Sequence, residues 1–265
     1  MITSPANKKI KEIQALNKKP SYRRETGLFT VEGVRMFREI PEDRMEQVFV
    51  SEGFLKDADP EVREKILRSR YEVVQDSVFP ALSDTRTPQG ILAAVRQERH
   101  SLSGLIRKDA CILILETIQD PGNLGTMLRA GEGAGLTGIV CDSGTADLYN
   151  PKVVRSTMGS IFRVPVVVAE DLHGAVRALK SEGVRIFAAH LRGQKAYDEE
   201  SYAGPSAFMI GNEAAGLKEE TAALADALVK IPMLGKVESL NAAVAASVLL
   251  YELARQRRNP AAGKR

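Results

Sequence analysis

Tryptophan is absent from this 265-residue chain, and histidine and cysteine are scarce, at three and two residues. So few potential ligands, with no recurring spacing among them, give no basis for a metal site. None of the three histidines, His100, His173 and His190, stands in a polar motif where a general base would be sought. Two cysteines cannot staple a domain of this size. Cys111 and Cys141 each lie beside an apolar, strand-like run, so both read as reduced, buried thiols. No apolar run is long enough to span a bilayer, and Met1-Ile2-Thr3-Ser4-Pro5 has no basic segment followed by an apolar one. A cytoplasmic protein without a membrane partner is the expectation.

What is present fits a globular enzyme or binding protein of two ordinary domains, with 44% hydrophobic residues. A net charge of +3 says little, but its distribution says more. Lys8, Lys9, Lys11, Lys18, Lys19, Arg23 and Arg24 crowd the N-terminal stretch, and Arg255, Arg257, Arg258, Lys264 and Arg265 recur at the other end. Such clusters are the footprint of a protein that neutralises phosphates, or else two solvated tails.

The residues up to 96 alternate helical and strand patterns. Ile10, Ile13 and Leu16 have helical spacing, 28–31, 47–50, 71–74 and 91–95 read as strands, and 60–70 reads as a helix. This predicts a small mixed domain over 1–96. The charged, Ser/Gly-containing stretch 97–107 reads as a linker. From 108 to 265 apolar runs at 111–115, 138–141, 164–168, 184–189 and 207–210 alternate with helices near 124–134 and 172–181. That pattern predicts an α/β domain with a mostly parallel sheet, whose ligand should sit beyond the carboxyl ends of the strands.

Three separated motifs carry chemistry. In Glu116-Thr117-Ile118-Gln119-Asp120-Pro121-Gly122-Asn123-Leu124-Gly125, turn chemistry at 120–123 follows a strand, and Asn123 reads as a possible cap of the helix that holds Arg129. In Ile210-Gly211-Asn212-Glu213-Ala214-Ala215-Gly216 an apolar strand runs into a glycine turn that would let the backbone approach a ligand. In Ile231-Pro232-Met233 an apolar shelf able to hold an adenine ring precedes Glu238-Ser239-Leu240-Asn241, which opens a helix of small residues. Its stripe Leu240, Val244, Val248 and Tyr251 reads as a core-facing helix face. A further segment, Asn150-Pro151-Lys152-Val153-Val154-Arg155-Ser156-Thr157-Met158-Gly159, offers a phosphate seat at Arg155. Gly131, Gly133 and Gly135 do not form a dinucleotide fingerprint, because they close a helix rather than open one.

Taken together, these motifs resemble those of the SpoU-type (SPOUT superfamily) RNA ribose 2'-O-methyltransferases. The resemblance implies an α/β-knot catalytic domain with a deep trefoil knot, binding S-adenosylmethionine and forming a homodimer through the C-terminal domain. It implies that Ile210, Gly211, Ile231, Met233, Ser239 and Leu240 contact the cofactor. Asn123, Arg129, Glu213, Ser239 and Asn241 then form the catalytic cluster, with Arg129 at the ribose hydroxyl. Whether Arg129 takes the proton or only orients the hydroxyl stays open, since a guanidinium normally remains protonated. The N-terminal part resembles the substrate-binding domain of the longer enzymes, an L30e-like ribosomal-protein RNA-binding fold. Lys8, Lys9, Arg23, Arg24 and Arg35 are its implied RNA contacts, and Arg155 is a further one implied in the methyltransferase domain. Ribosomal RNA is the expected substrate, against a transfer-RNA methyltransferase or a non-catalytic RNA-binding protein.

Overall fold

Asn7 starts the first helix, because its side chain accepts from the Lys9 N–H at 2.9 Å and satisfies a donor the helix cannot. The helix α1 (Lys8–Lys18) buries Ile10, Ile13 and Leu16 and leaves its lysines outward. The computed structural model describes residues 1–259, so Lys264 and Arg265 lie outside the described residues. Contacts divide the chain into two units, one of Met1–Glu98 with Asp147–Phe162 and one of Arg99–Ala146 with Arg163 onward.

In the first unit α2 (Pro20–Thr26), β1 (Leu28–Glu32), α3 (Val34–Glu39), β2 (Met45–Ser51), α4 (Glu52–Asp57), α5 (Pro60–Arg68), β3 (Tyr71–Val74) and β4 (Ile91–Arg96) follow α1. The sheet order is β1-β4-β2-β3, with β4 antiparallel to both neighbours and β2 parallel to β3. Strand alternation supplies two cores. Phe29, Val31, Val48, Val50, Ile91 and Ala93 pack with α3 and α5, whereas Phe49, Leu92 and Ala94 pack with the buried stripe of α1.

The second unit holds β5 (Cys111–Leu115), α6 (Pro121–Ala134) and β6 (Gly138–Asp142), and after an excursion β7 (Val166–Ala169), α8 (Leu172–Ser181), β8 (Arg185–Ala189), β9 (Lys195–Ala196), β10 (Ser206–Ile210), α9 (Glu219–Ala222), β11 (Ala227–Lys230) and α10 (Ala242–Arg258). The excursion carries α7 (Pro151–Thr157). Seven parallel strands run in the order β7-β6-β5-β10-β8-β11-β9. The expected α/β class and mostly parallel sheet are thus present. The run 164–168 becomes a strand only at Val166, and β9 and β11 add two short strands to those the pattern predicts. As expected, α6 closes at Gly135 in the left-handed conformation. Among the described residues no helix is long and apolar enough to cross a membrane.

Three expectations need correction. The segment Asp147–Phe162, read as part of the second domain, belongs by its contacts to the first unit, where Val154 and Ile161 join the core around Phe29. Arg23 is not an RNA contact. It is 2% exposed, donates to Asp147 Oδ2 at 3.0 Å through Nε, and reaches the Leu16 carbonyl at 2.6 Å. Arg23→Ala would leave that carboxylate without its cation and is expected to cost about 3 kcal/mol in urea denaturation. On α10 the buried face is Ala243, Ala246, Leu249, Leu250 and Leu253, packed against α6, while Val244 and Tyr251 of the expected core stripe are 47% and 50% exposed. A helix apolar nearly all round has two candidate stripes, and the small-residue face allows the closer approach. Arg257 is likewise structural, donating to the carbonyls of Asp109, Ala110 and Gly204 at 2.8 Å each.

Candidate active site

The three motifs leave the carboxyl ends of β5, β10 and β11. After β5, Asp120 caps α6 by accepting from the Asn123 N–H at 2.9 Å, and Pro121 supplies the first helical residue. Asn123 is therefore not the cap, which leaves its carboxamide free for other partners. Asn123 Nδ2 donates to Glu213 Oε1 at 2.9 Å, and Asn241 Nδ2 donates to Asn123 Oδ1 at 2.9 Å. Asn241 in turn caps α10, accepting from the Ala243 N–H at 2.9 Å. One chain of side-chain hydrogen bonds thus joins a residue from each motif.

Glu213 also accepts from the backbone N–H groups of Gln119 and Asp120, each at 3.1 Å. Burial disfavours its charge, but the bonds from Asn123, Asp120 and Gln119 outweigh it and hold the carboxyl below its ordinary value. The stability this contributes is complete above the ordinary carboxylate range and is lost as pH falls through the lowered value. A carboxylate so satisfied is a poor proton acceptor and a good anchor. Burial pushes the Cys111 thiol up to about 11 and Cys141 to about 12, so neither offers a thiolate near neutral pH.

Motif residues to which the sequence gives no individual role, together with Asp142 from outside the motifs, shape this arrangement. Thr117 has a φ of 56°, an uncommon conformation for a β-branched residue, held by Asp142. Asp142 accepts from its N–H at 2.9 Å and its hydroxyl at 2.6 Å, and Asn212 Nδ2 holds its carbonyl at 2.9 Å. Glu116, 4% exposed, accepts from the Lys218 N–H at 2.8 Å and the Thr221 hydroxyl at 2.5 Å, tying the loop after β5 to the loop after β10.

Beside the chain lies a cavity of about 280 Å³. Ile210, Gly211, Ile231, Met233, Ser239 and Leu240 all line it, as does Glu213. His190, at the end of β8, lines it as well, although no motif marked that residue. Gly211 has a packing reason to be glycine. A Cβ there would lie 2.2 Å from both the Gly216 carbonyl carbon and the Leu217 nitrogen. The close approach is of chain to chain, where the sequence had suggested chain to ligand. Gly211→Ala must push one backbone off another, so a loss of about 3 kcal/mol in thermal unfolding is expected, together with loss of cofactor binding.

Arg129 stands apart. It lies on α6 six residues after Asn123, is exposed, is absent from the cavity lining, and makes no side-chain hydrogen bond or ion pair among the described residues. Ser239 is exposed at the cavity wall. In the first unit Lys8 stands 3.8 Å from Glu12, Lys9 pairs with Glu72, and Arg155 pairs with Asp84 at 3.1 Å. Arg24 and Arg35 are exposed and without ion pairs among the described residues.

A parallel sheet that gathers a carboxylate, two carboxamides and an apolar cavity at its strand ends defines an α/β enzyme of the kind that holds a small ligand in a terminal crevice. Comparison with known proteins makes this specific. The SpoU rRNA Methylase family model matches residues 110–251, and the MRM3-like substrate binding domain model matches residues 7–93. The chain is 35% identical over 257 residues to 23S rRNA (guanosine(2553)-2'-O)-methyltransferase RlmP of Bacillus subtilis, covering 95% of this chain and 98% of that one. It is 31% identical over 224 residues to 23S rRNA (guanosine-2'-O-)-methyltransferase RlmB of Xanthomonas axonopodis, covering 81% and 90%. The crystal structure of the SpoU methyltransferase AviRb from Streptomyces viridochromogenes in complex with AdoMet superposes with a TM-score of 0.84 at 28% identity, covering 96% and 99%. The chain belongs to the SpoU rRNA methylase family.

Proposed function

We propose that this protein transfers a methyl group from S-adenosylmethionine to a ribose 2'-hydroxyl of 23S-type ribosomal RNA. The observation that carries the reading is the hydrogen-bonded chain Glu213–Asn123–Asn241, standing beside a cavity lined by every residue expected to touch the cofactor. S-adenosylmethionine supplies an electrophilic methyl group. The apolar wall of Ile231, Met233 and Leu240 suits its adenine ring, and Glu213 places fixed negative charge beside the cavity, favourable to a sulfonium. Asn123, gripped on both sides, has one orientation and can fix the attacking ribose. Arg129 polarises the hydroxyl as a cation.

Residues 108–265, apart from the segment 147–162, serve as the methyltransferase domain, joined by a 97–107 linker to the RNA-binding domain over 1–96, whose core that segment completes. The match to a substrate-binding domain in that part supports ribosomal over transfer RNA. Further parts of the same reading are a cytoplasmic location, a deep trefoil knot in the methyltransferase domain, and a homodimer that covers Val244 and Tyr251.

Labelled S-adenosylmethionine incubated with unmodified ribosomal RNA and with transfer RNA tests the proposal. After alkaline digestion, label should appear in alkali-stable dinucleotides from ribosomal RNA alone. Label in transfer RNA would reassign the substrate, and none in either would end the enzymatic reading.

A further inference from the structure

The first unit contains a cleft of its own, with a volume of about 650 Å³, within the usual range for ligand pockets. It is built from three pieces of chain: the turn from β1 into α3, the loop before β4, and the end of α7. Glu32, which lines the cleft, and Asp84 on the loop beside it are already engaged. Glu32 accepts from the Ser83 hydroxyl at 2.5 Å, the Thr85 hydroxyl at 2.8 Å and the Asp84 N–H at 3.2 Å, which pins the loop. Asp84 accepts from Arg155 Nη2 at 3.1 Å and so holds that guanidinium against the cleft. Arg38 is paired with Asp59 at 2.7 Å. Arg35, which also lines the cleft, has no partner among the described residues. The balance of uncommitted charge is therefore positive.

The uncharged groups are equally specific. Gln89 Oε1 accepts from the Val34 N–H at 2.9 Å, which fixes the carboxamide and leaves Nε2 without a partner among the described residues. Gly33, with a φ of 94°, makes room for this: a Cβ would stand 3.0 Å from Gln89 Oε1. Met158 and the largely buried Met36 also line the cleft with polarizable sulfur-bearing residues, and Met158 holds a φ of 51°, uncommon outside glycine.

Guanidinium beside an oriented amide donor and thioether surface matches the three parts of a nucleotide: phosphodiester, base edge and ring face. A paired base has its edge committed and its faces stacked, so the fit is to an unpaired one. We infer that this cleft binds one unpaired nucleotide of the RNA substrate, its phosphate on Arg35 and Arg155 and a hydrogen-bond acceptor of its base on Gln89 Nε2. This rests on the reading of the chain as an RNA methyltransferase. To the RNA contacts expected at Arg35 and Arg155 it adds Gln89 as the reader of a base edge and the unpaired state that the nucleotide must have there.

Gln89→Glu tests it with little disturbance, because the remaining oxygen still accepts from Val34 while the donor is replaced by a negative charge. With full-length protein and ribosomal RNA, the KM for RNA should rise about tenfold in Gln89→Glu and Arg35→Ala, with Kd for S-adenosylmethionine unmoved. Arg35→Ala should also lower the salt slope of RNA binding by about one. Fluorescence anisotropy gives a readout independent of turnover: a single-stranded oligonucleotide should bind wild-type protein more tightly than the same length of duplex, and Gln89→Glu should erase the difference. An unchanged KM in both variants, or equal binding of duplex and single strand, overturns the inference. Failure of wild-type protein to methylate any RNA, with the anisotropy difference intact, would sink the proposed activity and leave the cleft.

Discussion

Asn123→Ala is expected to lower turnover about a hundredfold or more while Kd for S-adenosylmethionine changes less than about threefold, because the lost group fixes geometry beside the cofactor cavity rather than lining it. Its carboxamide is the middle link between Glu213 and Asn241, at 2.9 Å to each. Truncation leaves Glu213 its two backbone donors and Asn241 its capping role, so each neighbour remains folded. All three side chains are at least partly exposed, and the stability cost should be only about 1 kcal/mol. A large kinetic effect with a small thermal one separates a positioning role from a structural one.

Asn123→Asp sharpens the test. The shape is kept, but the Nδ2 donor is lost and a second carboxylate faces Glu213. The variant should be as inactive as Asn123→Ala at neutral pH. It should regain part of its turnover as pH falls, once the two carboxylates share a proton and the link re-forms. Rapid-quench measurement across pH reads this directly. Turnover within threefold of wild type for Asn123→Ala would remove the residue from the site.

The motifs were legible because the chemistry of a parallel sheet collects them: loops that leave the carboxyl ends of nearby strands must converge, whatever their separation in sequence. Helix α8 was equally plain, as Leu172, Val176 and Leu179 repeat on one face below the Asp171 cap. By contrast β11 carries little strand signal, since Ala227–Lys230 is four residues long with one buried side chain among them. Long-range choices left no trace either. Nothing local in 147–162 says which sheet α7 will cover, and nothing in Arg23 distinguishes a buried partner of Asp147 from its exposed neighbour Arg24. The left-handed Thr117, which turns the loop that serves Glu213, is a decision taken by Asp142 and Asn212 from other strand ends.

Arg129 poses the complementary case, in which function is expected and structure supplies no partner. Its side chain is exposed and uncommitted among the described residues, so Arg129→Ala should unfold at the same temperature as wild type within about 1 °C. If the guanidinium meets the ribose hydroxyl, turnover should nonetheless fall about a hundredfold or more, the usual loss when one donor to a reacting oxygen is removed. Arg129→Lys keeps the charge without the planar fork and should recover part of the rate, more if charge matters most and less if two-point orientation does. An exposed cation on a basic protein could otherwise act only by holding RNA, and the kinetic split decides between these roles. A raised KM with unchanged turnover would make Arg129 a phosphate contact, whereas full activity in Arg129→Ala would remove it from the mechanism. A fall in turnover at saturating RNA, with melting and cofactor affinity preserved, places it at the transferred methyl group's acceptor.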